Sequence, residues 1–408
     1  MPFERTGIRY AHPLELPRSD SIVRFAWTGE RRRCPMEGVH NDTHPMTWAA
    51  DDEIYFSSGD PNYIMEAGRC RHVPWAEAIE KPDLYPLMGG LDVEKLVGHG
   101  YDCGIERINT MPGFMGPGGN GPKPSGMISV DRSLYLAAQN LLGRKPATHR
   151  SKSQHGSDAT ILRSDDRGRT WQPDIGPILA DMEDALYDRK GWKWTNPPEE
   201  RAGWKNWAPM FPGSGFGGPT FIQYGKDNAG ARDSYVYAVS SDQWDNGSEL
   251  RLGRVPKEAI QEPEAWQWAV PGSSDEPGWT SALDESRPVL VIDGHVGLPE
   301  MVYLQTIDRY LLLTWGLHSD FHVKDGSELT ILEADQPWGP FRLVHYEEIW
   351  DSKEICPYCP RVPLKWFDGS SLRGWIVHSG NWHTVEHYAI HTQPFELTMR
   401  PDAPVPKA

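Results

Sequence analysis

Apolar and polar residues alternate along this chain in short paired runs, each pair divided by a turn rich in Asp, Asn or Gly. Residues 41–60, NDTHPMTWAADDEIYFSSGD, set the pattern. Met46, Trp48, Ile54 and Phe56 suit strands, and the Asp51 and Asp52 side chains between them bond their own backbone in a tight turn. The run therefore reads as one β-hairpin with its turn midway. Folding it places Asp42 opposite Asp60 as cross-strand neighbours, with one carboxylate on each side of the open mouth.

The same plan returns four times. Residues 126–140 turn at Asp131-Arg132, with Lys123 and Ser125 at the mouth. Residues 219–242 carry a long charged connection holding Lys226, Asp227, Arg232 and Asp233. Residues 298–315 turn at Ile307-Asp308 with Glu300 at the mouth. Residues 361–381 place Asp368-Gly369 in the turn and Arg361 at the mouth. First strands starting near 43, 126, 219, 300 and 362 signal radial repetition. The expected fold is all-β: a five-bladed β-propeller over residues 41–395 with decorated loops and a few short helices. Residues 1–40 form an extended lead-in and 396–408 a tail, either of which can supply a closing strand that leaves no edge unpaired. In such a ring each blade's first strand lines the axis, so Asp42, Ser125, Glu300 and Arg361 converge although they are remote in sequence.

The connections are expected to decorate this frame. Residues 73–98 read as a loop with short helical runs, WAEAIE and DVEKLVG, cut by Pro and Gly. Residues 111–124 are a glycine-rich lid or rim loop without the Gly-Lys-Ser/Thr ending of a phosphate loop. Residues 177–190 suit a short helix, and 192–207 an aromatic-rich loop over the ligand face. SDDRGRTW at 164–171 matches the Asp-box pattern Ser-x-Asp-x-Gly-x-Thr-Trp. Its physics is a structural outer turn: Asp166 bonds turn amides, Gly168 supplies positive φ, and Trp171 tucks beneath.

Composition narrows the function. Gly 40, Pro 36, Trp 18 and Tyr 15 favour a turn-rich β protein, with most of the Trp serving as packing wedges and some lining a sugar site. A net charge of −16 and the lack of a basic run argue against nucleic acid and a long polyanionic substrate. No apolar stretch reaches a membrane span, and the first thirty residues have no secretory core, so the chain as written is expected to be cytoplasmic, or secreted if a leader precedes it. Five Cys suit a reducing compartment, and one CxxC at Cys356 and Cys359 lacks the second ligand pair that zinc requires. The sequons at Asn41 and Asn246 are read as chance. No cofactor motif is present, and a structural Ca²⁺ on the axis is the one ion the reading allows.

Two carboxyls at one mouth suit glycoside hydrolysis, in which one protonates the leaving oxygen and the other attacks or activates water. The plainer reading is that aspartates cap turns and strand ends. Asp42 and Asp60 are the expected dyad, with Glu300 third. The side chains expected to bind an oligo- or polysaccharide are His44, Trp48, Lys123, Ser125, Lys226, Asp227, Arg232, His295 and Arg361, with residues 225–233 ordering the rim.

A resemblance adds to this. TWAADDEIYFSSGD, KPSGMISVDRSLYL, SDDRGRTW, YGKDNAGARDSYVY, RVPKEAI and PWGPF occur in the order seen in a family of bacterial and fungal five-bladed propellers formerly of unknown function. That family includes endo-D-arabinanases, and the chain resembles it over about residues 40–390. The resemblance implies a glycoside hydrolase acting on arabinan-like glycans, with the family's essential carboxylates falling on Asp42 and Asp60. DGHVGLPEMVY and CPYCPRVPLKW depart from the family pattern. Two further functions are carried forward: a polysaccharide lyase using His44, Tyr101, His295 and Arg361, and a non-catalytic carbohydrate-binding propeller.

Overall fold

The computed structural model describes residues 9–35, 41–59, 63–66, 69–73, 77, 80, 81, 84, 89–112, 122–144, 154–173, 209–272, 276–319, 325–382, 384 and 386–401. Asp60, residues 113–121 of the expected 111–124 lid, the predicted helix at 177–190 and the aromatic loop at 192–207 lie outside the described residues, while the two ends of the expected lid are strand, in Gly104–Pro112 and Pro122–Val130.

The architecture is all-β and propeller-like. Five sheets of three or more strands follow one another along the described chain. The first contains Met46–Trp48, Ile54–Gly59, Gly89–Val97 and Gly104–Pro112. The second contains Pro122–Val130, Ser133–Arg144 and Gln154–Ser164. The third runs Thr220–Phe221, Tyr235–Ser241, Gly247–Pro256 and Leu290–Val296, with Arg9–Tyr10 added in parallel at its outer edge. Glu300–Leu304, Arg309–Leu317, Ser327–Ala334 and Arg342–Glu347 form the fourth. The fifth combines Tyr358–Arg361, Arg373–Ser379 and His391–Met399 with Ile22–Trp27 from the lead-in. Strands from both ends of the chain thus share one sheet.

Alternation explains how the sheets pack. Tyr55 on one face of its strand joins Leu91, Val93, Met127 and Leu136 between the first two sheets. Ile54 and Phe56 on the opposite face join Leu96, Val377 and Ile390 between the first sheet and the fifth. Ile128, Ala137 and Phe221 bind the second sheet to the third, Ile222, Leu252 and Leu312 the third to the fourth, and Leu313, Ile331 and Phe395 the fourth to the fifth. Phe56, Phe221 and Phe395 are fully buried. Truncating one of them to Ala costs about 3–5 kcal/mol through lost transfer energy and the cavity left behind.

One expectation is corrected. DVEKLVG is no helix: Gly89–Val97 is the third strand of the first sheet, paired with Ile54–Gly59 and Gly104–Pro112. Asp92 and Glu94 alternate with Leu91, Val93 and Leu96 because both face the Arg107 guanidinium, and that partner lies fifteen residues beyond Asp92.

The hairpin turns gather on one face of the molecule. Asp131 and Arg132 both take positive φ, at 49° and 72°, as a tight two-residue hairpin turn requires. Asp52 pairs with Lys226 (3.1 Å) and Lys365 (3.5 Å), Asp131 with Lys257 (3.2 Å), and Arg232 with Asp308 (3.3 Å). The mouths occupy the other face.

Candidate functional site

The first mouth is built by a kink. The ladder Met46↔Phe56, Thr47↔Tyr55, Trp48↔Ile54 extrapolates to Asp42 opposite Asp60, yet Asp42 bridges Gly59. Thr43 and His44 take left-handed φ values of 68° and 41°, which moves the register by one residue. Consecutive non-glycine residues in that region are strained and need external support. It comes from the fifth sheet: Ser379 Oγ accepts from Thr43 N (3.1 Å), and Arg361 Nε donates to Thr43 O (3.0 Å).

Asp42 is 7% exposed, and its Oδ2 accepts from the Tyr358 hydroxyl at 3.2 Å. Burial, followed by the charge of Asp42, pushes the Tyr358 phenol well above its usual range, so it stays a donor. Tyr358 sits between Cys356 and Cys359, which have φ of 43° and 52°. That bent Cys-Pro-Tyr-Cys segment aims the ring at Asp42. Gly59 is required opposite: a Cβ there would lie 2.8 Å from Asp42 Oδ1 and 3.3 Å from Lys123 Cδ. The same contact places the 2% exposed Lys123 beside this carboxylate.

Glu300 begins the first strand of the fourth sheet and is 2% exposed. Arg361 Nη1 donates to Glu300 Oε2 (3.1 Å) and to Pro299 O (2.9 Å). Burial raises the Glu300 carboxyl to about 7 although Arg361 opposes the rise. Arg361 is fully buried and reaches from Thr43, next to Asp42, to Glu300, so one guanidinium ties the two mouths together. Glu300 Oε1, Arg361 Nη2, Thr43 Oγ1 and both side-chain polar atoms of Asn41 are buried without a hydrogen-bond partner. Such groups normally bond protein or water.

A polar layer lies behind this mouth, between the first and fifth sheets. His44 Nδ1 meets Ser58 Oγ (3.3 Å), Ser58 Oγ donates to Glu94 Oε2 (2.5 Å), and Arg107 pairs with Glu94 (2.8 Å) and Asp92. Burial raises both carboxyls, Asp92 strongly. Burial, with Arg361 second, drives His44 well below the usual imidazole range. Burial likewise lowers His378 to about 3 and His391 to about 2.

Other expected site residues are used elsewhere. Trp48 Nε1 donates to Asp52 Oδ1 (2.9 Å) at the turn end. Lys226 pairs with Asp52; Asp227 accepts from Ser129 Oγ (2.6 Å) and Arg132 N (3.1 Å); Arg232 pairs with Asp308. Residues 225–233 therefore stitch hairpin turns together on the face opposite Asp42, because the strands of each hairpin carry its turn away from its mouth. Ser125 Oγ donates to Pro219 O (2.8 Å), which occupies it structurally. His295 Nδ1 meets Glu328 Oε1 (2.5 Å) between the third and fourth sheets. Tyr101 donates to Glu30 O. The set considered for lyase chemistry is thus dispersed, with only Arg361 at the mouth. His44 stands behind the mouth, buried against Ser58.

Sequence reasoning missed Tyr358 and Gly59. Cys-Pro-Tyr-Cys drew attention to its cysteines, which are buried; burial pushes the Cys356 thiol up to about 12. Among the described residues no group of three or more His, Cys, Asp or Glu could hold a metal ion. At 164–171, Asp166 accepts from Thr170 N (2.9 Å) and Thr170 Oγ1 (2.7 Å), and Trp171 Nε1 donates to Gly168 O (3.0 Å). That turn follows the third strand of its sheet. Both sequon residues, Asn41 and Asn246, are fully buried.

No protein-family model and no curated protein sequence matches the chain. Solved structures align along most of it. A protein of unknown function from Dyadobacter fermentans is 12% identical with a TM-score of 0.47, covering 92% of this chain and 100% of that one. The catalytic domain of an alpha-L-arabinofuranosidase from Coprinopsis cinerea is 11% identical with a TM-score of 0.42, covering 94% and 98%. An alpha-L-arabinofuranosidase from Podospora anserina, in complex with cellotriose, is 10% identical with a TM-score of 0.42, covering 93% and 99%. At these identities and scores the likeness carries no argument about activity, and the all-β, propeller-like arrangement rests on this chain's own sheets.

Proposed function

We propose that this chain is a glycoside hydrolase with a five-bladed propeller, each of the five larger sheets forming one blade. It cuts a furanoside or related arabinan-like glycan at the mouth face. The observation that carries this reading is the presence there of two buried carboxyl groups in different settings. Asp42 receives a tyrosine hydroxyl, and Glu300, despite its arginine, is raised to about 7. A carboxyl kept protonated near neutral pH serves as general acid, and a second carboxyl serves as base or nucleophile.

In this reading Glu300 donates a proton to the leaving oxygen. Asp42, with Asp60 as the partner the sequence pairs with it, acts on the anomeric carbon or on water. Arg361 and Lys123 hold substrate hydroxyls, and Tyr358 fixes the Asp42 rotamer. The unpartnered groups of Asn41, Thr43 and Arg361 are the polar contacts a sugar would complete.

The test is digestion of D- and L-arabinofuranosyl oligosaccharides with analysis of the products. New reducing ends without an ultraviolet-absorbing unsaturated product support hydrolysis. An unsaturated product, or binding without turnover across the panel, contradicts it.

A further inference from the structure

The seam between the first and fifth sheets holds a thiol pair that the proposed chemistry does not use. Cys34 follows the short strand Arg32–Arg33, which pairs with His391–Met399, and its N–H donates to Ile390 O (2.8 Å). Cys103 follows the 3-10 turn Gly100–Asp102, which joins Gly89–Val97 to Gly104–Pro112. One thiol therefore rides on the fifth sheet and the other on the first. Their Sγ atoms lie 2.9 Å apart although 69 residues separate them in sequence. A disulfide spans ~2.05 Å, so bonding needs about 0.9 Å of approach. The two side chains are 1% and 3% exposed and share a core with Met46, Phe56, Leu96, Val377 and Ile390. That core fixes both chains around the sulfurs.

We propose that Cys34 and Cys103 are an oxidation site whose disulfide fastens the lead-in and the fifth sheet to the first. With a low-molecular-weight disulfide as oxidant, the Cys103 thiolate attacks one of its sulfurs and expels a thiolate. Cys34 then loses its proton and attacks the Cys103 sulfur of the mixed disulfide, expelling the second thiolate. Two protein thiols are oxidised, one small disulfide is reduced to two thiols, and the two protons lost by the cysteines are taken up by the departing sulfurs. The S···S contact favours this order, since it holds Cys103 below the usual thiol range while raising Cys34.

The bond matters because of where it falls. The first and fifth sheets meet through the core that holds both thiols, and Ile22–Trp27 and Arg32–Arg33 pair with His391–Met399 inside the fifth. A cross-link closing a loop of this length removes much of the unfolded chain's freedom, and for a chain of this size raises Tm by roughly 5 °C.

The full chain is refolded from urea in a mixture of oxidised and reduced glutathione, so that burial does not bar the oxidant, and in parallel with dithiothreitol. Thiols titratable in denaturant are expected to fall from the five of the sequence to three. A non-reduced digest should contain a Cys34–Cys103 linked peptide, and Tm should rise by roughly 5 °C and return on reduction. The double variant Cys34→Ala/Cys103→Ala should melt alike in both buffers; if it does not fold, the oxidised and reduced wild-type chains still decide. Five thiols remaining, a link between other cysteines, or a cross-link with no rise in Tm overturns the proposal.

Discussion

Replacing Glu300 with Gln should change the pH dependence of stability in a calculable way. In the folded chain this buried carboxyl titrates at about 7, against a reference value of 4.5. A group whose folded pKa is raised contributes stability that is fully present below the unfolded pKa and is lost as pH rises through the folded pKa. The folded state therefore loses ground between about pH 4.5 and pH 7, and the gap amounts to about 3 kcal/mol at 1.36 kcal/mol per pH unit. Gln keeps the shape and offers Arg361 an oxygen, but it does not titrate. Urea denaturation of wild type and Glu300→Gln at matched pH from 4.5 to 8 subtracts every other group common to both. The stability difference should move by about 3 kcal/mol in favour of Gln as pH rises. A difference that stays flat across that range would mean that Glu300 ionises normally, and the argument for a protonated acid would fail.

Gly59→Ala should impair activity more than folding, because the added methyl would sit 2.8 Å from Asp42 Oδ1; a fall in kcat with Tm nearly unchanged checks this. Asp227→Ala, which empties the turn-face bonds to Ser129 and Arg132, should lower stability by about 1–3 kcal/mol and leave turnover unaltered, as measured by urea midpoints and initial rates. His44, His378 and His391 are buried neutral with folded pKa values below the reference of 6.5. Stability they permit at neutral pH is therefore lost below about pH 6.5, by about 2 kcal/mol each at pH 5 for His378 and His391, and His378→Asn should flatten that limb of the urea-midpoint profile.

The strand pattern was legible where one face is apolar and the turn is local. Asp131-Arg132 and Asp308 turn where their residue types suggest, Glu300 begins a strand, Lys123 lies one residue into another and Arg361 ends a third. What failed had non-local causes. Gly89–Val97 looked unlike a strand because Asp92 and Glu94 point inward at Arg107, a partner that local periodicity cannot supply. The slip that pairs Asp42 with Gly59 depends on Ser379 and Arg361 holding a strained Thr43, more than 300 residues away. Trp48 and residues 225–233 were placed on the wrong face because composition shows polarity without showing which end of a hairpin carries it. Tyr358 was hidden by the two cysteines that bracket it.

The most direct measurement compares wild type and Asp42→Asn on the arabinofuranosyl oligosaccharide that wild type cleaves fastest, with reducing-end release and Tm read on the same preparations. The account predicts a rate loss of about a hundredfold or more, with Tm within a few degrees of wild type, since the mouth carboxylate acts in the transition state and contributes little to the core. Undiminished release by Asp42→Asn, or loss of activity only together with loss of the fold, would contradict it.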